Sequence, residues 1–178
     1  MAEENNPIGV DASGYELLTK AVRNLLNQFP GLYDYEFITF EELAKDTGIA
    51  FSADNGALVM TERVSITDHV KQTCQFPFYI VYRTSSTLES QKIEAQAFLD
   101  QIGKWLCGEE IIVDGNVHVL KSFPALSGGR TITRITRMNS YGVEPDADGV
   151  QDWLLPVTVQ YKHAYDNLLI TTDTQKYR

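Results

Sequence analysis

The run Gln75-Phe76-Pro77-Phe78-Tyr79-Ile80-Val81-Tyr82 and the residues just beyond it decide the fold. Small polar residues follow, Thr84-Ser85-Ser86-Thr87, and then a long amphipathic segment that closes on Trp105-Leu106-Cys107-Gly108. Phe76, Phe78, Ile80 and Tyr82 share one side of a strand, with Tyr79 and Val81 on the other. A strand apolar on both sides belongs inside a sheet or has its second face covered. Pro77 has no amide to donate and is expected near the strand's start. A helix cap is expected within Ser85 to Thr87. Leu88, Ala95, Phe98, Leu99, Ile102, Trp105 and Leu106 then form one helical stripe, with Glu89, Gln91, Lys92, Glu94, Gln96 and Lys104 facing out. Gly108 is a natural stop just past the end.

On the N-terminal side, residues 1–12 lack periodicity and read as a flexible arm. Ser13 with Glu16 three residues later has capping-box spacing. Leu17, Leu18, Ala21, Val22, Leu25 and Leu26 then predict an amphipathic helix of about four turns, stopped at Pro30-Gly31. Residues 32–40 place Tyr33, Tyr35 and Phe37 at alternate positions, as in a strand or a strand-like approach to one. Residues 41–48 are acidic and read as a loop or short helix. The segment from Ile49 ends in the turn signal Asp54-Asn55-Gly56. A hairpin partner is expected next, with Leu58, Met60, Val64, Ile66 and Val70 on its apolar face. Glu62 and Asp68 interrupt it, so it reads as one bent strand or two short ones.

On the C-terminal side, Ile111 to Val113 and Val117 to Leu120 flank Asp114-Gly115-Asn116 and predict a small hairpin. Ser127-Gly128-Gly129-Arg130 reads as a hinge or turn. Thr131 to Tyr141, rich in β-branched residues, reads as a strand, and residues 142–151 as an acidic loop. Trp153 to Tyr165 closes the sheet, with Val157, Val159, Tyr161, His163 and Tyr165 on one face and Thr158, Gln160 and Lys162 on the other. A polar tail begins at Asp166. The order predicts an α+β protein, a mainly antiparallel sheet with two principal helices on one face.

The 178 residues suit a single domain spanning the chain, burying roughly 70% of the unfolded surface. No run approaches the ~18 apolar residues that span a bilayer. The polar, acidic start is unlike a signal peptide, which predicts retention in the cytoplasm. Cys74 and Cys107 read as small buried residues rather than a disulfide or a zinc motif. His69, His118 and His163 lack ligand spacing, so no metal is expected. There is no GxSxG, no P-loop lysine and no nucleotide-binding glycine loop. Asp146 and Asp148 have part of a calcium-loop spacing without its distal Glu. Tyr33, Tyr35, Tyr79 and Tyr82 read as packing residues. The expectation is a non-enzyme with no cofactor.

Charge is distributed unevenly. The net charge is −9, which disfavours general nucleic-acid coating. Residues 1–56 hold ten acids and three bases, whereas residues 122–143 hold Arg130, Arg134 and Arg137 and no acid. Two complementary patches on one chain suit head-to-tail assembly. The basic candidates are Arg130, Arg134 and Arg137. The acidic candidates are Asp46 and Asp54 in one loop region and Glu144, Asp146 and Asp148 in another. A solvated face reads the same charges equally well.

A resemblance attaches to Phe78-Tyr79-Ile80-Val81-Tyr82-Arg83 followed by Ser90-Gln91-Lys92-Ile93-Glu94-Ala95-Gln96-Ala97-Phe98-Leu99-Asp100-Gln101-Ile102. With the early helix ending near Pro30-Gly31-Leu32 and the late strand Leu155-Pro156-Val157-Thr158-Val159-Gln160-Tyr161, residues 13–165 resemble the tail terminator or minor capsid proteins of long-tailed bacteriophages, especially prophages of Gram-positive hosts. The resemblance implies a small α+β virion protein at the head-proximal end of the tail, assembled in the host cytoplasm. It implies a homohexameric ring that caps the tail tube protein, stops its polymerisation and docks the head connector or stopper protein. DNA would pass through the lumen without specific binding, and no membrane is involved. The alternatives are another head–tail neck or completion protein, or a small intracellular enzyme or ligand-binding domain. The last predicts a buried polar pocket containing His69, His118 or His163.

Overall fold

A computed structural model describes residues 6–85 and 87–167. Its centre is a two-stranded antiparallel ribbon. The run quoted above lies within β5 (His69–Ser85), which pairs along its whole length with the last strand, β10 (Val150–Asp166). Each strand has 17 residues, about 55 Å at ~3.3 Å per residue. The strand expected to close the sheet therefore lies in its middle.

Shorter strands flank this ribbon end to end. On the far edge of β5, β3 (Gly48–Ala53) pairs with residues 78–83 and β4 (Leu58–Val64) with residues 70–75. On the far edge of β10, β8 (Arg130–Arg137) and β9 (Tyr141–Gly142) sit side by side. Beyond β3 lies β2 (Thr39–Phe40), the one parallel pairing, and beyond β4 lies β1 (Gly9–Val10). The sheet is otherwise antiparallel, and the mainly antiparallel α+β class is as expected. The small hairpin also forms, as β6 (Ile111–Val113) and β7 (Asn116–His118), with Asp114 and Gly115 at positive φ as a tight two-residue turn requires.

Both helices cover one face. α1 (Ala12–Leu26) buries Leu18, Val22, Leu25 and Leu26, and α2 (Glu89–Leu106) buries Ala95, Leu99, Ile102, Trp105 and Leu106. They meet the even-numbered side of β5 (Cys74, Phe76, Phe78, Ile80) and the odd-numbered side of β10 (Leu155, Val157, Val159, Tyr161) in one core. α2 lies close to the sheet because residue 103 is glycine. A Cβ there would stand 2.5 Å from Arg137 Cδ and 3.0 Å from Leu155 Cδ2. Gly108, at φ +80°, ends α2 as expected.

Several local expectations are corrected. β3 and β4 do not form a hairpin; both pair with β5 instead. A bulge between Val59 and Thr61 shifts the phase of β4, so that Val59 and Val64 both register with helix-side residues, Cys74 and Val70; Val59 is buried, while Val64 at the strand's end and Ile66 beyond it are exposed. The segment holding Tyr33, Tyr35 and Phe37 is irregular, and all three rings are exposed. Tyr33 and Tyr35 stack on each other, and Arg23 sits over Phe37. α1 is capped by Asp11 rather than Ser13, and α2 by Leu88 with no side-chain cap. The arm is anchored from Ile8 onward, through β1 and the Ile8 and Asp11 amides, which donate to Val59 and Ala57. Of the hinge or turn expected at Ser127 to Arg130, the structure has the turn. Gly128 and Gly129 have φ +66° and +72°, and the Gly129 carbonyl accepts from the Ala164 amide at 2.9 Å. Cys74 and Cys107 are free thiols, as read from the sequence, but only Cys74 is buried and Cys107 is partly exposed. The remaining arm residues, 1–5, and the tail beyond 167 lie outside the described residues.

Candidate functional site

Two places gather polar chemistry. The first is inside. Asp11 stands at the N-cap of α1 and accepts from the Gly14 amide at 3.0 Å. Arg130, at the start of β8, donates to both its oxygens, Nε to Oδ2 at 2.8 Å and Nη2 to Oδ1 at 2.6 Å. The Tyr161 hydroxyl donates to Oδ2 at 2.9 Å. His163 Nδ1 lies 3.1 Å from Gln72 Oε1 and 3.8 Å from Asp11 Oδ2. The cluster ties the chain's beginning to β8 and β10.

This is the buried polar group with a histidine that an enzyme reading predicts, so its electrostatics matter. Burial raises the Asp11 carboxyl, but the Arg130 and Tyr161 hydrogen bonds, the Arg130 charge and the Gly14 amide outweigh it, and the pKa falls to about 2. Burial pushes the neighbouring Cys74 thiol up to about 11, away from thiolate chemistry. Burial, then Cys74 and Asp11, also raise the Tyr161 phenol. Burial and the Arg130 charge lower His163, so its imidazole is neutral at pH 7. Every oxygen of Asp11 already accepts from this chain, so the arrangement works as a staple. Among the described residues, no group of three or more His, Cys, Asp or Glu is placed to hold a metal ion.

The second place is the sheet face that neither helix covers. Register sorts it into rows across β4, β5, β10 and β8. Arg63 faces Lys71; Thr61, Thr73, Lys162 and Thr131 follow; then come Gln75, Gln160 and Arg134. Arg63, Lys71, Lys162 and Arg134 are all exposed, and none is in an ion pair among the described residues. Farther along the same face Tyr79, Val81, Leu154 and Pro156 form a half-buried apolar stretch. Asp152 closes that end, held by Arg83 through Nε at 2.7 Å and Nη2 at 2.8 Å. Asp166 closes the opposite end, 2.7 Å from His69.

The expected site residues separate on this frame. Arg130 is corrected, because it is 6% exposed and its charge is taken up by Asp11, leaving it no face to offer a neighbour. Arg134 stands free on the uncovered face. Arg137 points to the helix side and pairs with Asp100 at 2.9 Å. Asp54 is half-buried and accepts from the Tyr79 hydroxyl. Asp46, Glu144, Asp146 and Asp148 are exposed, on two loops that leave the same end of the sheet, where Arg83 Nη1 also donates to the Ala44 carbonyl. Asp146 Oδ1 accepts from the Asp148 and Val150 amides and sets the shape of its loop.

Sequence reasoning missed Arg63 and Lys71 as members of the basic surface. The available signal was alternation: Lys71, Thr73 and Gln75 occupy positions opposite in parity to Val70, Cys74 and Phe76. Lys162 was placed on its correct face but not joined to them. No helix among the described residues is long and apolar enough to cross a membrane. Set against known proteins, the chain matches no family model, and no curated protein is similar to it.

Proposed function

We propose that this chain is a structural assembly protein, a tail terminator that forms a ring on the end of a tail tube, stops its growth and offers a surface to the head connector. The observation that carries this reading is the one-sided sheet. Both helices pack on one face, while the other is open, with basic residues gathered toward one end and acidic loops beyond the opposite end. A ribbon about 55 Å long holding opposed patches suits repeated heterologous contact, which closes into a ring when the rotation per subunit allows. The resemblance around Phe78 to Arg83 and Ser90 to Ile102 supports the specific role. The net charge of −9 suits a passage for DNA that does not hold it.

Electron microscopy of the protein alone and mixed with growing tail tubes tests the reading. Rings one tube wide, or capped tubes of uniform length, are expected. A protein that stays monomeric and leaves tube length unchanged overturns it. Binding to the connector without capping tubes would move the assignment to another neck protein.

A further inference from the structure

We propose that the uncovered sheet face around Lys71 and Lys162 receives the acidic loop end, residues 44–47 and 143–149, of a second copy of this chain. The inference rests on the self-assembly reading and names its contact.

Three observations carry it. First, Arg63 and Lys71 are directly opposite one another across β4 and β5. Like charges in that position repel and destabilise the pair unless an anion is shared between them. Lys162 and Arg134 continue the same positive field over the adjoining strands, and the carboxylate that ends this face, Asp166, is held by His69. Arg63, Lys71, Lys162 and Arg134 are in no ion pair among the described residues, a property they share with Arg23, Lys45, Lys92 and Lys121; what sets them apart is that they gather on one face. Second, the acidic loops hold Asp46, Glu144, Asp146 and Asp148 against a single base, Lys45. Third, the two patches cannot neutralise each other within one molecule. Arg83, at the acidic end, is twelve residues along β5 from Lys71, a span of about 40 Å against a screening length of about 8 Å. They meet only between copies, in the head-to-tail sense that generates rings or filaments. The apolar stretch from Tyr79 to Leu154 lies beside the basic rows and supplies the dry centre that such contacts need. Nucleic acid is the other polyanion that fits four cations, but the field of a −9 chain opposes its approach.

The test is charge exchange, read by sedimentation of the purified full chain at low and high salt. Lys71→Glu with Lys162→Glu is expected to weaken self-association at least about tenfold while leaving the melting temperature unchanged, since both side chains are exposed and unpaired. Adding Glu144→Lys with Asp148→Lys, exposed residues whose side chains hold no partner, is expected to restore it. Raising salt should weaken the wild-type assembly and leave the doubly reversed one similarly sensitive. Self-association that persists undiminished through the Lys reversals, or a loss that the acidic-loop reversals do not rescue, overturns this contact and leaves the ring reading intact. A wild-type chain that never assembles, alone or on tubes, overturns both. Wild-type retention of duplex DNA that the Lys reversals abolish, with assembly unaffected, assigns the face to nucleic acid instead.

Discussion

Asp11 shows how one side chain can set the start of a helix and the end of a sheet together. Ser13 has the better local capping pattern, but its hydroxyl, which accepts from Arg130 Nη2 at 2.8 Å, cannot neutralise a buried guanidinium. Asp11 satisfies the Gly14 amide and the Arg130 charge at once, so the tertiary pair moves the helix start two residues upstream. Asp11→Ala would leave Arg130 buried and unpaired. Urea unfolding should show a loss of about 3–5 kcal/mol, well above the ~1 kcal/mol of a lost cap alone. The pair also confers pH dependence. The Asp11 carboxyl titrates lower in the folded chain, about 2 against an ordinary 3.8, so its contribution is complete above about pH 4 and drains away as pH falls through 2. That contribution is roughly 2 kcal/mol. Between pH 5 and pH 2 the wild type should lose more stability than Asp11→Asn, which has no carboxylate to protonate. Equal losses would show that the staple does not couple to protons.

At the scale of elements, the contact between α2 and the sheet is set by a missing side chain. Gly103→Val would push a branched group into Leu155, which is fully buried and has no room to retreat. Overpacking of this kind costs about 1–3 kcal/mol, which a denaturation midpoint would register. Gly103→Ser should cost less, because the flexible end of Arg137 can move aside. β5 and α2 were legible in the sequence because both carry strong periodicity and Gly108 marks a stop. The pairing partners were not. Two strands that follow one another in sequence ordinarily form a hairpin, and nothing local tells β3 and β4 to share one edge of a 17-residue strand instead. The bulge at Met60 hid the basic face for a related reason. It shifts the alternation of β4 by one residue and brings Arg63 to the side of Lys71. The two-sided apolar pattern of β5 has an equally physical resolution. Its second face is not buried under another layer but left half-exposed beside β10.

For the molecule as a whole, the three arginines that one basic segment places within eight residues have three separate environments, and assembly should distinguish them. Arg130 is internal and neutralised, Arg137 is held against α2 by Asp100, and Arg134 alone projects from the open face. Reversal to Glu at each position should therefore give three outcomes. Arg130→Glu places two carboxylates together in a buried site and should prevent folding, visible as a lost melting transition. Arg137→Glu sets a second acid beside Asp100 and should lower stability by about 1 kcal/mol, with any change in assembly following from that loss. Arg134→Glu should leave the melt unchanged, because an exposed substitution of an unpaired residue moves stability by no more than about 0.5 kcal/mol. Its effect should fall on self-association alone, in the same direction as reversal of Lys71 and Lys162 and additive with it at low salt. If Arg134→Glu assembles like the wild type while the lysine reversals do not, the docking surface ends at β10 and the edge strand stands outside it. If Arg134→Glu and Arg137→Glu both assemble normally, charge on the β8 side of the sheet has no part in joining one copy to the next.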